Sequence, residues 1–410
     1  MHHPSVSRRA PMLACAVLLA AAATALAVAV LAAPARADGP GTGSPWTVSV
    51  GDSYISGEAG RWAGSTNESS SWVDALGSTA YDDNAAGNAE TIAHCHRSKS
   101  AEVYLGGGVS GMNLACSGAK TNTFTEGETF KPGLDFYSSG GKEGQALMLQ
   151  HFAAAHNVKL VAVSIGGNNF KFASIVQDCV EDFLFSPSWW PDYCDDDSSV
   201  TSNFTSSNVT RVKGEITAAI KNVAQAMTNA GYSSSQYTIL VQDYPSPIPL
   251  ASGFRYSQSG YTRQSTGGCG FWNADANYAN EKMLPTIDSA VFAAASAAGL
   301  SNLRTMELSS AFNGRRLCEK GVGLLEEVGL TSWRQTGAVD RTEWINEIRT
   351  ISTVFGPYEV QESIHPNYWG QLALRNCLTQ AYNAGTPKGG TCTISASGLN
   401  SAGEPNMSLH

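Results

Sequence analysis

Apolar and polar positions alternate in short blocks along this chain. Thr47-Val-Ser-Val-Gly51 sets Val48 and Val50 between polar neighbours and ends on glycine, the pattern of a short strand that stops sharply. Val158-Lys-Leu-Val-Ala-Val-Ser-Ile165, Tyr237-Thr-Ile-Leu-Val-Gln242 and Leu303-Arg-Thr-Met-Glu-Leu308 follow. These runs are short and rich in branched residues, as strands buried on both faces are. Between them Val212, Ile216, Ile220, Val223 and Met227 recur at helical spacing, ended by Gly231. Residues 275–298 and 367–384 also read as helices, stopped by Gly299 and Gly385. This alternation predicts an α/β fold, a three-layer α/β/α sandwich around a mostly parallel sheet.

Three stretches break the alternation. Residues 179–200 hold Phe183, Phe185, Trp189, Trp190 and Tyr193, then three consecutive aspartates. Residues 245–274 are rich in Pro, Gly, Ser and aromatics, and 310–360 mix charge with tryptophan. Long irregular insertions of this kind are often functional. The 183–193 aromatics are expected either to line an acyl groove or to pack on the core as a pinned loop. No internal repeat or linker is evident, so one domain is expected over 38–410, closing with a short C-terminal tail.

The N-terminus reads differently. Arg8 and Arg9 precede an apolar run over 11–33, and Ala35-Arg36-Ala37 fits a small-x-small cleavage pattern. Residues 1–37 are therefore expected to be a signal peptide, and the protein to be secreted. No comparable apolar run follows, so no stable membrane anchor is expected after cleavage. Removing Arg8, Arg9 and Arg36 shifts the formal charge from −9 to −12. A chain this acidic, without a basic stripe, is a poor partner for nucleic acid.

Beyond Cys15 eight cysteines remain, an even count that implies disulfides in an exported chain. Short separations favour Cys95–Cys116, Cys179–Cys194 and Cys377–Cys392, leaving Cys269–Cys318. No Cys-x-x-Cys occurs, and His94-Cys95-His96 is better explained by a disulfide than by a metal. Asp195-Asp-Asp197 reads as a solvated acidic turn rather than a calcium loop. No metal or cofactor is expected.

Candidate chemistry begins at Ser53, just past the first strand in Gly51-Asp-Ser53-Tyr. Open α/β sheets place ligands at this carboxyl edge. A nucleophilic serine needs a base, and His365 in Glu362-Ser-Ile-His365-Pro supplies one, with Glu362 placed to orient the ring. It also needs donors for an oxyanion. Asn113-Leu-Ala-Cys-Ser-Gly118 and Gly166-Gly-Asn168-Asn169 are turns rich in small residues that offer the Gly118 N–H and the Asn168 amide. Neither Gly-x-Ser-x-Gly nor His-Glu-x-x-His is present.

Serine, glycine, asparagine and histidine in this order resemble the SGNH hydrolases, or GDSL-type esterases and lipases, particularly secreted actinobacterial members. The resemblance spans residues 47–370. It implies a flavodoxin-like sheet and a metal-independent esterase acting on lipid, phospholipid or simple acyl esters. It further implies Ser53 as nucleophile, His365 as base, and Ser53, Gly118 and Asn168 as the oxyanion hole. Tyr54 stands in place of the usual Leu, and two further departures matter. Asn169 replaces the usual Asp, and Glu362 stands where the family carries Asp, although some members use a backbone carbonyl there. The Glu362 carboxylate is the expected orienter of His365. A monomer acting on an ester substrate is expected. Carbohydrate deacetylation on the same fold, and a non-catalytic module binding polysaccharide or envelope, are the competing readings.

Overall fold

Seven strands form one sheet in the computed structural model, which describes residues 38–350 and 356–410. The segment read as a signal peptide lies outside the described residues. The strands are β1 (Pro45–Gly51), β2 (Ser110–Asn113), β3 (Asn157–Ser164), β4 (Thr238–Gln242), β5 (Leu303–Glu307), β6 (Gly390–Leu399) and β7 (Pro405–Leu409). Their spatial order is β2-β1-β3-β4-β5-β6-β7. All neighbours are parallel except β6 and β7, which close the edge as an antiparallel pair. The C-terminal segment expected to be a tail is this edge pair. Its residues are too polar to read as core strands, and an edge does not require that they be apolar.

β1, β3 and β4 are almost wholly buried, as their apolar runs require. β5 is not buried on both faces, because Arg304, Thr305 and Glu307 are exposed and Met306 alone is deeply packed. The main helices are α1 (Ser53–Ser56), α2 (Gln145–Ala154), α3 (Phe172–Phe185), α4 (Ser206–Asn229), α5 (Leu284–Ala298) and α6 (Tyr368–Tyr382). α4 buries Val212, Ile216, Ile220, Val223 and Met227 and packs against α2 and α5 in one layer. Each such aliphatic side chain removed from water contributes roughly 1.5–3 kcal/mol. α6 belongs to the other layer, where Gln371 donates to the Tyr54 carbonyl and Gln380 to that of Met407.

α3 runs into the stretch 179–200, whose cysteine and aromatics read as irregular in the sequence. Ile175, Cys179 and Phe183 nevertheless recur every fourth residue and face inward. Four disulfides join Cys95 to Cys116, Cys179 to Cys194, Cys269 to Cys318 and Cys377 to Cys392. The second ties α3 to the loop that follows it.

Position matters most at β1. The chain steps one way from β1 to β2 and the other way from β3 onward, so the carboxyl ends of β1 and β3 flank a topological switch point. The Ser53 and Asn168 turns both lie there.

Candidate active site

Gly51 ends β1 with φ +141°, and a side chain there would collide with the Ser164 carbonyl of β3. The chain turns at once. The Gln145 amide takes the place of a neighbouring strand, accepting from Gly51 N at 2.7 Å and donating to its carbonyl at 2.8 Å. Asp52 caps the single turn of α1 by accepting from Tyr54 N, and its other oxygen accepts from the Tyr244 hydroxyl at 2.5 Å. Tyr244 in turn accepts from Gly167 N at 3.0 Å. The serine turn and the Gly166–Asn169 turn are thus joined through a buried Asp–Tyr pair. Burial pushes the Asp52 carboxyl up to about 7 against the opposing Tyr244 and Tyr54 hydrogen bonds.

Ser53 stands first in α1, where a backbone N–H has no helical partner. Its Oγ lies 2.7 Å from His365 Nε2. Across the ring, Nδ1 lies 2.8 Å from the Ser363 carbonyl oxygen. A carbonyl only accepts, so Nδ1 carries the proton and Nε2 is free to accept from the serine hydroxyl. Burial drives the His365 imidazole below its ordinary value, while the Glu58 carboxylate and the Ser363 carbonyl pull the other way.

The orienter is therefore not the one read from sequence. The Glu362 carboxylate faces away from His365 and accepts from Trp62 Nε1 at 2.7 Å, Tyr81 OH at 2.6 Å and Glu359 N at 3.0 Å. It completes a capping box on the short helical turn Val360–Glu362. Burial and the nearby Glu58 push it up to about 7. Ile364 adopts φ +60°, a strained conformation for a β-branched residue, and lies between the Ser363 carbonyl and the ring that this carbonyl holds. Three bonds hold the conformation: Ile364 N to Asn346 O, Asn346 N to His365 O, and Tyr54 OH to Ile364 O.

Asn168 shares a pocket wall with Ser53, Tyr54, Tyr244 and Phe172. Its amide donates to the Ala119 carbonyl at 3.0 Å, which leaves the second amide hydrogen for a ligand. Gly118 does not line that pocket but flanks Ala119, with φ +76°. Among the described residues, the Ser53 and Gly118 N–H groups donate to no protein acceptor. Asn113 acts structurally, its amide donating to the Ser56 carbonyl at 2.8 Å and its oxygen accepting from Ala115 N. Asn169 binds the Thr121 hydroxyl and Glu215.

An apolar groove continues from this pocket along α3. Phe172, Pro247, Leu284 and Ile287 border both parts, and Ile175, Val176 and Ile364 extend it towards Cys179. The 183–193 aromatics do not form it. Phe183 is buried against Trp272, whereas Phe185, Trp189 and Trp190 are 84%, 81% and 73% exposed. Sequence reasoning missed Asp52, Tyr244, Glu58 and Ser363. Their roles depend on contacts between distant segments, and no local motif marks them.

A serine hydroxyl on a neutral imidazole, with an asparagine amide on the same pocket wall at the sheet's switch point, matches the serine, asparagine and histidine blocks read from sequence. The chain resembles the SGNH hydrolases. No protein-family model matches it. No curated protein matches it. Among solved structures it is similar to the extracellular lipase of Streptomyces rimosus, at 17% identity and TM-score 0.42 over 84% of this chain and 100% of that one. It is also similar to phospholipase A1 of Streptomyces albidoflavus NA297, at 16% identity and TM-score 0.43 over 84% and 100%. A carbohydrate acetylesterase of Sinorhizobium meliloti follows at 10% identity and TM-score 0.32 over 83% and 99%. The SGNH resemblance rests on the four blocks and the Ser53–His365 geometry, not on these distant likenesses.

Proposed function

We propose that this protein is a secreted, metal-independent serine esterase of the SGNH type acting on lipid or simple acyl esters. The observation that carries the reading is the 2.7 Å contact of Ser53 Oγ with His365 Nε2, with Nδ1 anchored on a backbone carbonyl. His365 takes the serine proton as Oγ attacks the ester carbonyl. The tetrahedral oxyanion is met by the Asn168 amide and the Ser53 N–H, which line the pocket, and the third donor is the Gly118 N–H read from sequence, which lies behind that wall next to Ala119. His365 then gives its proton to the leaving alcohol, and the acyl group stays on Ser53. Water, deprotonated by the same imidazole, releases the acid. A Ser–His pair with a carbonyl orienter is sufficient for these transfers, because the carbonyl fixes the tautomer and accepts from the imidazolium when it forms.

The groove along α3 supports an acyl substrate, since it is walled by apolar side chains and begins at Ser53. Four disulfides and the leader-like first 37 residues support export. A second reading, carbohydrate deacetylation, is favoured by exposed Trp189 and Trp190, whose faces suit sugar stacking. Hydrolysis of acyl esters of increasing chain length, measured beside acetate release from acetylated xylan, separates the two. Turnover that persists with long acyl chains is expected. Activity confined to acetylated xylan favours the second reading, and no turnover of any ester overturns both.

A further inference from the structure

A second cluster lies where the Cys95 loop meets the segment that precedes His365 in sequence. His94, His96 and Glu359 each offer a ligand atom, and these atoms all lie within 4.8 Å of one another. His96 is the fixed member, with its side chain only 4% exposed. Its Nδ1 lies 2.7 Å from Oε1 of Glu58, a carboxylate with no exposed surface. Tyr81 stacks on the ring at 4.3 Å and 6°. Nε2 points into the cluster without a hydrogen bond, 3.6 Å from Glu359 Oε2 and 3.8 Å from Glu90 Oε1. A carboxylate behind one imidazole nitrogen, with the other nitrogen facing further ligand atoms, is the arrangement that orients metal-binding histidines.

The backbone is built for this placement. His94 and His96 both adopt positive φ, 60° and 45°, on either side of Cys95, which the bridge to Cys116 holds. Left-handed conformations at two non-glycine residues persist only where the surroundings enforce them. Glu90 enforces them here by accepting from the backbone N–H groups of both histidines.

We infer that His94, His96 and Glu359 bind a divalent cation of the zinc class, with Glu58 orienting His96 from behind. Two imidazoles and one carboxylate suit zinc rather than calcium or magnesium, which prefer all-oxygen shells. Ligands roughly 2.1 Å from a tetrahedral ion stand closer together than 4.8 Å. Exposed His94 can rotate inward. The half-exposed Glu359 carboxylate, which also accepts from the Glu362 N–H in the capping box, has a second oxygen to offer the ion. The ion would tie the Cys95 loop to the turn that leads into His365, stabilising that turn without entering the chemistry. This inference stands independently of the esterase reading.

The test is calorimetric titration of the chelator-treated, full secreted protein with Zn²⁺ alone, together with melting curves. Saturable binding of one ion per chain and a rise in Tm are expected. His94→Ala and Glu359→Gln, both at exposed positions, should each weaken binding at least about tenfold and abolish the Tm rise. Absence of saturable binding below about 100 µM, near 5.5 kcal/mol, overturns the site. So does tight binding that neither substitution changes.

Discussion

The His365 imidazole is oriented by the carbonyl of Ser363, two residues before it, at 2.8 Å. The neighbouring Glu362 carboxylate is engaged by Trp62, Tyr81 and the Glu359 N–H. The carboxylate three residues before the histidine is thus a clamp on the loop, and the loop's backbone supplies the acceptor.

Glu362→Gln should accordingly leave the chemistry almost intact. We expect kcat on a chromogenic ester to stay within about tenfold of wild type, 1.4 kcal/mol of barrier. The amide has one acceptor oxygen where the carboxylate uses two, so stability should fall by about 1–3 kcal/mol. Denaturant melts and steady-state rates on the same preparation check both. A loss of several hundredfold in kcat in a folded variant would return the orienting role to Glu362.

On the proposed mechanism, Asn168→Ala removes a donor aimed at charge that exists mainly in the transition state. The expected effect is a fall in kcat by roughly 10²–10³, about 2.7–4 kcal/mol, with KM little changed. A rise in KM at constant kcat would assign the amide to substrate binding instead.

The pH profile follows from the burial of His365, which holds its imidazole below the ordinary 6.5. Only the neutral ring accepts the serine proton, so the acidic limb of kcat/KM should lie below pH 6.5. The same shift has a stability sign. The unfolded chain protonates this residue first as pH falls through 6.5, so this group's contribution is present above 6.5 and lost below it. A limb centred above 6.5 would show that Glu58 outweighs burial.

Much of this site is legible in the sequence because its chemistry sits on local motifs. β1, β3 and β4 show as apolar runs, and Ser53, Asn168 and His365 follow strands or precede a helix with recognisable spacing. β2 does not show, since Ser110-Gly-Met-Asn113 carries one large apolar residue. β6 and β7 do not, because an edge pair needs little apolar surface. The Ser363 orienter is illegible for a different reason. It depends on Ile364 holding φ +60°, which pairing with distant Asn346 and Tyr54 imposes. Apolar groove residues on α3 were likewise hidden by the aromatics beside them.

The disulfides should matter most near the oxyanion turn. Cys95–Cys116 fixes the segment that carries Gly118 and Ala119, and the latter holds the Asn168 amide. Replacing both cysteines by serine should cost roughly 2–5 kcal/mol of stability and lower kcat more than the equivalent change at Cys377–Cys392. Equal effects of the two pairs on kcat would show that the bridge only supports the fold.

The central claim is that Ser53 is a nucleophile activated by His365. Fluorophosphonate labelling of the protein, followed by peptide mapping, tests it most directly. The adduct should fall on Ser53 alone, and His365→Ala should abolish it while the folded spectrum is retained. A label on any other serine, or undiminished labelling of Ser53 in the His365→Ala protein, would contradict the account.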